Sequence, residues 1–384
     1  MSILSALGVF CFWAYVRPYA VTERELVQLF LWNADYFLER VAVPGGLARY
    51  IGEWLVQFFV YIRYGALVYA LLFLSTQYLG WMVLRRLLRP STLLYILSYL
   101  PALLLWWVAC DVRWPMTVHV AVLMVLAVTA MLPARPVSRL AVSVVLLPVV
   151  YWAAGPAAIL MVLCQRVWWH AAVAGLLFAL CLTGSSLLVP YPLSALARGI
   201  DYRWDDDVVG SYEDMTYCTL LRREQWETIV DASYRQAPQS AAARNAVCLA
   251  LWYTRRVGEQ ELMQQFNHSR TVMQSCVSSS IVSDLYLHLG MLNMSQRAAF
   301  ELMESIPNNN KSGRAMKRLA ETALCTGQYE VADKYLRLLE QTLFYREWAR
   351  SMRPCIAHPE LLLKHPRYSG LIGIYGKTKD GFFH

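Results

Sequence analysis

The stretch TERELVQLFLWNADYFLERVAVPGGLARYIGEWLVQFFVY, residues 22–61, is too polar to cross a bilayer and too apolar for a solvated loop. On a helical wheel Arg24, Gln28, Asp35 and Glu39 share one narrow stripe bordered by Trp32, and Leu26, Leu29, Phe30, Phe37 and Val41 lie elsewhere. Arg49, Glu53 and Gln57 recur at i, i+4 and i+8, and the VPGG at Val43–Gly46 can only be a turn. The pattern predicts two amphipathic helices, each with a wide apolar surface and one polar stripe. Such helices lie in a membrane interface or lean on a bundle, stripes toward water or toward each other, with Arg49–Glu53 as a natural ion pair.

The rest of the chain gives this loop its setting. Of 384 residues, 57% are hydrophobic and only 16% charged, and the mean hydropathy is +0.36. Residues 1–189 carry 12 Arg, no Lys and 6 acids, whereas residues 190–384 carry 23 Lys and Arg and 21 acids. The first half therefore reads as membrane and the second as a water-facing domain. Apolar runs at Ile3–Tyr15, Leu67–Leu84, Thr92–Cys110, Met116–Leu132, Leu140–Ala154, Ala157–Cys164 and Ala171–Val189 predict about seven spans. The sixth is short, and a single kinked helix over Leu140–Cys164 is the alternative. Arg85, Arg86 and Arg89, then Arg135 and Arg139, then Arg166 fall in loops without an acid. The positive-inside rule puts those loops and the N-terminus in the cytoplasm and the C-terminal half across the membrane.

The expected fold class is all-α: a polytopic membrane bundle followed by helical repeats. The expected division is 1–190 membrane, with the two-helix loop at 18–62, 191–211 linker, 212–355 repeats and 356–384 an irregular tail. In the second half CTGQYEVADKYLRLLEQ, Cys325–Gln341, resembles half of a tetratricopeptide motif through Gly327, Tyr329, Ala332 and Tyr335. Gly permits the turn of a helical hairpin, and Tyr and Ala fill its inner face. Steps back of roughly 34 residues reach Ser295, with Ala298 at the Ala332 place, then Glu261, then Trp226. Such an array implies a protein or peptide partner on its concave face. The tail HPRYSGLIGIYGKTKDGFFH reads as extended, folded back on the last hairpin or free to dock.

Two further resemblances follow. Through DYFLERVAVPGGLARYIGEWLVQFF and LYLHLGMLNMSQRAAFELM the chain resembles an uncharacterised bacterial inner-membrane family with C-terminal tetratricopeptide-like helices. That implies a multi-pass inner-membrane protein with a periplasmic repeat domain, a scaffold or envelope assembly factor in contact with membrane lipids. In layout it is similar to C-class multi-pass glycosyltransferases, whose first external loop carries acidic residues. Under that resemblance Glu23, Glu25, Asp35 or Glu39 would be the catalytic carboxylate, binding a metal or acting as base on the acceptor hydroxyl, with a divalent metal and a polyprenyl-phosphate sugar as cofactor and donor. The paired Asp-Glu of those enzymes is missing here. Otherwise no cofactor or metal is expected, because the His residues show no ligand spacing. Asp205, Asp206 and Asp207 read as a solvated linker. The net charge of +8 comes mostly from membrane-flanking Arg and argues for no nucleic acid.

Overall fold

The computed structural model describes residues 1–204, 209–268, 273–306, 308 and 310–378, and every element among them is helical. Asp205, Asp206 and Asp207 and the last six residues lie outside the described set. The chain divides into two compact units. One is Met1–Val21 with Trp32–Trp204, and the other is Thr22–Leu31 with Asp205–His384.

The first unit holds α1 (Ser2–Cys11), the start of α2 (Pro18–Leu26), α3 (Ala34–Val41), α4 (Gly46–Val56), α5 (Ile62–Leu87), α6 (Thr92–Leu97) and α7 (Tyr99–Ala109). It continues with α8 (Met116–Met131), α9 (Pro136–Ala154), α10 (Ile159–Leu163), α11 (Trp168–Leu188) and α12 (Leu193–Arg198). Among the described residues four helical stretches are long and apolar enough to cross a membrane: Ile62–Leu87, Thr92–Ala109, Pro136–Leu163 and Trp168–Leu188. A fifth is added if Ser2–Val16 and Pro18–Leu26, bent by 79°, count as one. Met116–Met131 is apolar but shorter.

Pro136–Leu163 is not one straight rod. Gly155 has φ +66° and ψ −148°, outside the helical region. Gln165 Nε2 lies 3.0 Å from Ser143 Oγ, 22 residues earlier, whereas a straight helix would separate them by about 33 Å. The chain therefore reverses at Gly155–Ala158, and α10 returns packed on α8 and α11.

The opening stretch departs from expectation in one respect. A single helix over residues 22–40 is not formed: α2 ends at Leu26 and α3 starts at Ala34, capped by Asn33 Oδ1 on the Tyr36 amide at 2.6 Å. The turn at VPGG is where the sequence places it. Gly45 has φ +84°, and a Cβ on Gly46 would stand 1.8 Å from the Arg40 carbonyl oxygen, so only glycine fits.

The second unit is a run of hairpins: α13 (Tyr212–Arg222) with α14 (Trp226–Arg235), α15 (Ala241–Tyr253) with α16 (Glu259–His268), α17 (Cys276–His288) with α18 (Leu292–Glu304), and α19 (Gly313–Cys325) with α20 (Tyr329–Leu339). All four turns are alike. Glu224, Arg255, Gly290 and Gly327 have φ between +54° and +80°. In each, the next amide reaches back five residues: Gln225 to Leu220, Arg256 to Leu251, Met291 to Tyr286 and Gln328 to Ala323, at 2.8–3.0 Å. This is the Schellman helix end, which satisfies carbonyls the helix leaves over.

The turns are 31, 35 and 37 residues apart, so a fixed step of 34 drifts out of register. Tyr329, which begins α20, corresponds to Leu292, which begins α18, and not to Ser295. Ser295 takes the Ala332 place, and Ala298 takes that of Tyr335. Ser295 is buried and exchanges two hydrogen bonds with Ser283, at 2.7 and 2.9 Å. Nor does each hairpin touch only its neighbours, since α13 packs on α17 as well as on α15.

Two boundaries also move. Asp201 and Trp204 are buried in the first unit, so residues 191–204 are packed structure and not a linker. The tail is not irregular: α21 (Arg346–Met352), α22 (Pro354–Ala357), α23 (Glu360–Lys364) and α24 (Tyr368–Thr378) are helical, and α24 folds back on α19.

Candidate functional site

The polar residues of the opening stretch separate into two buried ionic clusters, one in each unit. In the first unit Glu53 is fully buried on α4. Its Oε2 accepts from Tyr36 Oη at 2.6 Å and Arg40 Nε at 3.0 Å, and its Oε1 accepts from Arg49 Nε at 2.9 Å. Arg49 also faces Asp201 Oδ2 at 3.5 Å. Asp201 accepts from Thr117 Oγ1 at 3.3 Å and Trp204 Nε1 at 3.1 Å. Two carboxylates thus meet two guanidiniums, and it is Tyr36 and Arg40 of α3, not the predicted stripe of Asp35 and Glu39, that face the polar residues of α4. Burial disfavours the Arg49 charge, but Asp201 and Glu53 outweigh it and hold its pKa above the usual value. For Tyr36, burial and then Glu53 push the phenol well up, so it donates and does not ionise. Gln57 is buried one turn on, its Nε2 3.5 Å from the Glu53 carbonyl oxygen.

Asp35 and Glu39 stand apart from that cluster. Both are exposed on α3. Asp35 sits in the first turn, where the helix dipole favours an acid, and Glu39 Oε1 takes Arg40 Nη1 at 3.1 Å.

The second cluster is built on Thr22–Leu31, every residue of which is buried. Arg314, from α19, sends Nη1 to Glu23 Oε2 at 3.2 Å and Nη2 to the Thr22 carbonyl oxygen at 3.1 Å. Its Nη2 also lies 3.5 Å from Glu25 Oε2. From α13, Thr219 Oγ1 donates to Glu23 Oε1 at 3.0 Å and meets Thr22 Oγ1 at 2.8 Å. Glu25 takes Tyr345 Oη at 2.6 Å and lies 3.7 Å from Arg222. Burial opposes the Arg314 charge, yet Glu23, Cys218 and Glu25 together keep its pKa well above normal. Tyr345 is pushed up by burial and then by Glu25. Arg24 and Gln28, predicted on a stripe facing water or the partner helix of the loop, are buried in this same unit. Both carboxylates are held by arginine and hydroxyl groups of the hairpins, an arrangement that positions a segment of chain.

The repeat residues occupy ordinary hairpin positions. Ala332 and Ala298 are buried, Tyr329 and Tyr335 half-buried, and Gly327 sits in the turn with φ +80°. Trp226 does not fill an inner face. It stacks on Tyr253, centroids 4.2 Å apart, with the His288 ring edge-on at 5.1 Å, and lines a cleft of about 200 Å³ with Glu224, Leu287 and Arg367.

Sequence reasoning missed Asp201, Thr117, Thr219, Arg222, Arg314 and Tyr345. No local signal marks them, since Glu23 and Arg314 are 291 residues apart.

The chain belongs to a family of unknown function (DUF6057). The match covers residues 1–210 and, overlapping it, residues 172–384. The family is uncharacterised, in agreement with the resemblance carried by residues 35–59. Neither a curated protein nor a solved structure matches the chain.

Proposed function

We propose that this protein is a membrane-anchored scaffold, in which a bundle of about seven crossings carries a tetratricopeptide-like hairpin array that holds protein or peptide partners. The observation that carries the reading is the seating of Thr22–Leu31. The hairpin unit accepts an acid-bearing piece of chain, the last turn of α2 and the residues after it, and fixes it through Arg314, Thr219 and Tyr345, as such an array holds a peptide.

What supports seven crossings is the alternation of helix ends. Ser2 Oγ meets Tyr95 Oη at 2.7 Å near the start of α6, and Arg86 and Arg166 reach carbonyls of Leu132 and Ala134 in the α8–α9 turn. At the opposite end Trp204 pairs with Arg113 and Gly45 with Trp152. Tyr151 meets Ser185 at 2.8 Å, so α9 and α11 run in parallel, as they must if α10 returns between them. Arg86, Arg135, Arg139 and Arg166 thus gather at one end, which the positive-inside rule assigns to the cytoplasm. The chain beyond α11 is then periplasmic in a bacterial inner membrane, where an envelope assembly factor would work.

Two experiments test this. A phosphatase fused after Ala197 should be active and a fluorescent protein there dark, and the reverse result overturns the sidedness. In cells, Asp35→Asn and Glu39→Gln should be silent, whereas Glu23→Gln and Glu25→Gln should lower protein abundance. Loss of the cellular phenotype at unchanged abundance, from any of the four, would replace the scaffold with a lipid-linked sugar transferase.

A further inference from the structure

Arg139 lies one turn into α9 and is only 1% exposed. Its Nε, Nη1 and Nη2 have no hydrogen-bond partner among the described residues. A buried guanidinium without a counter-charge is among the costliest groups a fold can carry, and it is retained where something compensates it. Among the described residues no carboxylate pairs with it. Between Glu53 and Asp201 the only carboxylate is Asp111, and it is bound to Arg113 at 2.7 Å at the other end of the bundle. Besides the thiol of Cys164, the charged groups that act on Arg139 are Arg166 and Arg86, of like sign.

These two are placed as an approach. Arg166 is exposed and Arg86 half-buried. Each gives one nitrogen to the turn before α9, Arg86 to the Leu132 carbonyl oxygen at 2.9 Å and Arg166 to that of Ala134 at 3.1 Å. Three guanidiniums of graded depth therefore converge at the arginine-bearing end of the bundle.

We infer that Arg139, with Arg86 and Arg166, forms a binding site for a phosphate oxyanion at this end of the membrane unit. The planar fork of arginine matches two phosphate oxygens at once, and basic pockets between membrane helices on the cytoplasmic side recognise anionic head groups. The same chemistry serves the head group of an acidic phospholipid or a free phosphate. The inference rests on the membrane reading above, and its test separates the two.

The full chain, stripped of lipid in a neutral detergent, is titrated with phosphatidylglycerol, phosphatidylcholine or inorganic phosphate while its melting temperature is followed. Phosphatidylglycerol should raise it and phosphatidylcholine should not. A rise with inorganic phosphate as well makes free phosphate a ligand of the site. Arg139→Gln should weaken the phosphatidylglycerol response about tenfold or more, the worth of a charge-assisted hydrogen bond. It should also leave the lipid-free protein no less stable than wild type, because an unpaired charge has been removed. Arg89→Gln, at an exposed position, should keep the response. If Arg139→Gln does not fold, Arg139→Lys is used, and anionic lipid retained by the wild type is weighed by native mass spectrometry. The proposal is overturned if no anion shifts the wild type. It is overturned equally if the Arg139 variant responds as the wild type does. Solubility without detergent would count against the membrane reading alone, since the phosphate titration still reports on the site.

Discussion

At the scale of the residue, Glu53 has the largest role in the first unit. Two guanidiniums and a phenol converge on its carboxylate without solvent. Glu53→Gln leaves Arg40 and Arg49 short of a charge inside the protein, and should cost about 3–5 kcal/mol, read as a lowered melting temperature in detergent. Glu39→Gln, at a side chain 57% exposed, should change stability by less than about 0.5 kcal/mol. Comparable small effects from both would mean that the cluster does not brace α3 and α4. His288 gives a pH signature. Burial, aided by Arg318 and Arg367, pushes its pKa down to about 4. It is neutral when folded and takes up a proton more readily when unfolded. Its contribution is therefore whole above about pH 6.5 and is lost as the pH falls toward 4, by at most about 3 kcal/mol. The wild type should lose more stability than His288→Gln between about pH 7 and pH 5, and parallel curves would refute this.

At the scale of the element, the four hairpin turns make separable predictions. Gly327 needs its positive φ but has open space around a Cβ, so Gly327→Ala should cost about 1–2 kcal/mol of backbone strain alone. At Gly290 a Cβ would also stand 2.7 Å from Ile374 Cγ2 of α24, so Gly290→Ala should cost more and loosen the tail helix. Arg255 occupies the same left-handed position without being glycine, and Arg255→Gly should stabilise by about 1 kcal/mol. Thermal unfolding of the three variants gives the order directly, and an Arg255→Gly variant less stable than wild type would contradict the turn assignment. Tyr329→Ala, at a half-buried helix start, should cost less than Leu336→Ala in the buried face, about 2–5 kcal/mol. Much of this was legible in the sequence, because Gly327 and the apolar spacing of α20 are local signals. The register of the earlier hairpins was not, because the loops between them differ in length and similarity at a fixed step fades.

At the scale of the whole molecule, the C-terminal unit is completed by ten residues from near the N-terminus. A fragment of residues 205–384 lacks Glu23 and Glu25, and Arg314 then stays buried without its counter-charge. That fragment should be several kcal/mol less stable than the same unit in the full chain. A synthetic peptide of residues 18–33 added in trans should restore it, with a melting temperature that rises with peptide concentration. The same peptide with both glutamates changed to glutamine should not. A fragment as stable without peptide as with it would remove Thr22–Leu31 from the hairpin unit.

The sequence by itself determined the all-helical class, the apolar helices, the VPGG turn and the hairpin character of the second half. These are written in the spacing of neighbouring residues, where backbone geometry and hydrophobic periodicity act over a few positions. Only the tertiary structure decided where the polar stripes go. Arg24 and Arg49 look alike on a helical wheel, yet one is buried in the hairpin unit and the other holds Glu53 and Asp201 in the first unit. The reversal at Gly155 and the isolation of Arg139 are of the same kind. Charge pairing is not directional along the chain, and 35 basic residues compete for 27 acids, so the partner of any one is fixed by what folding brings to it.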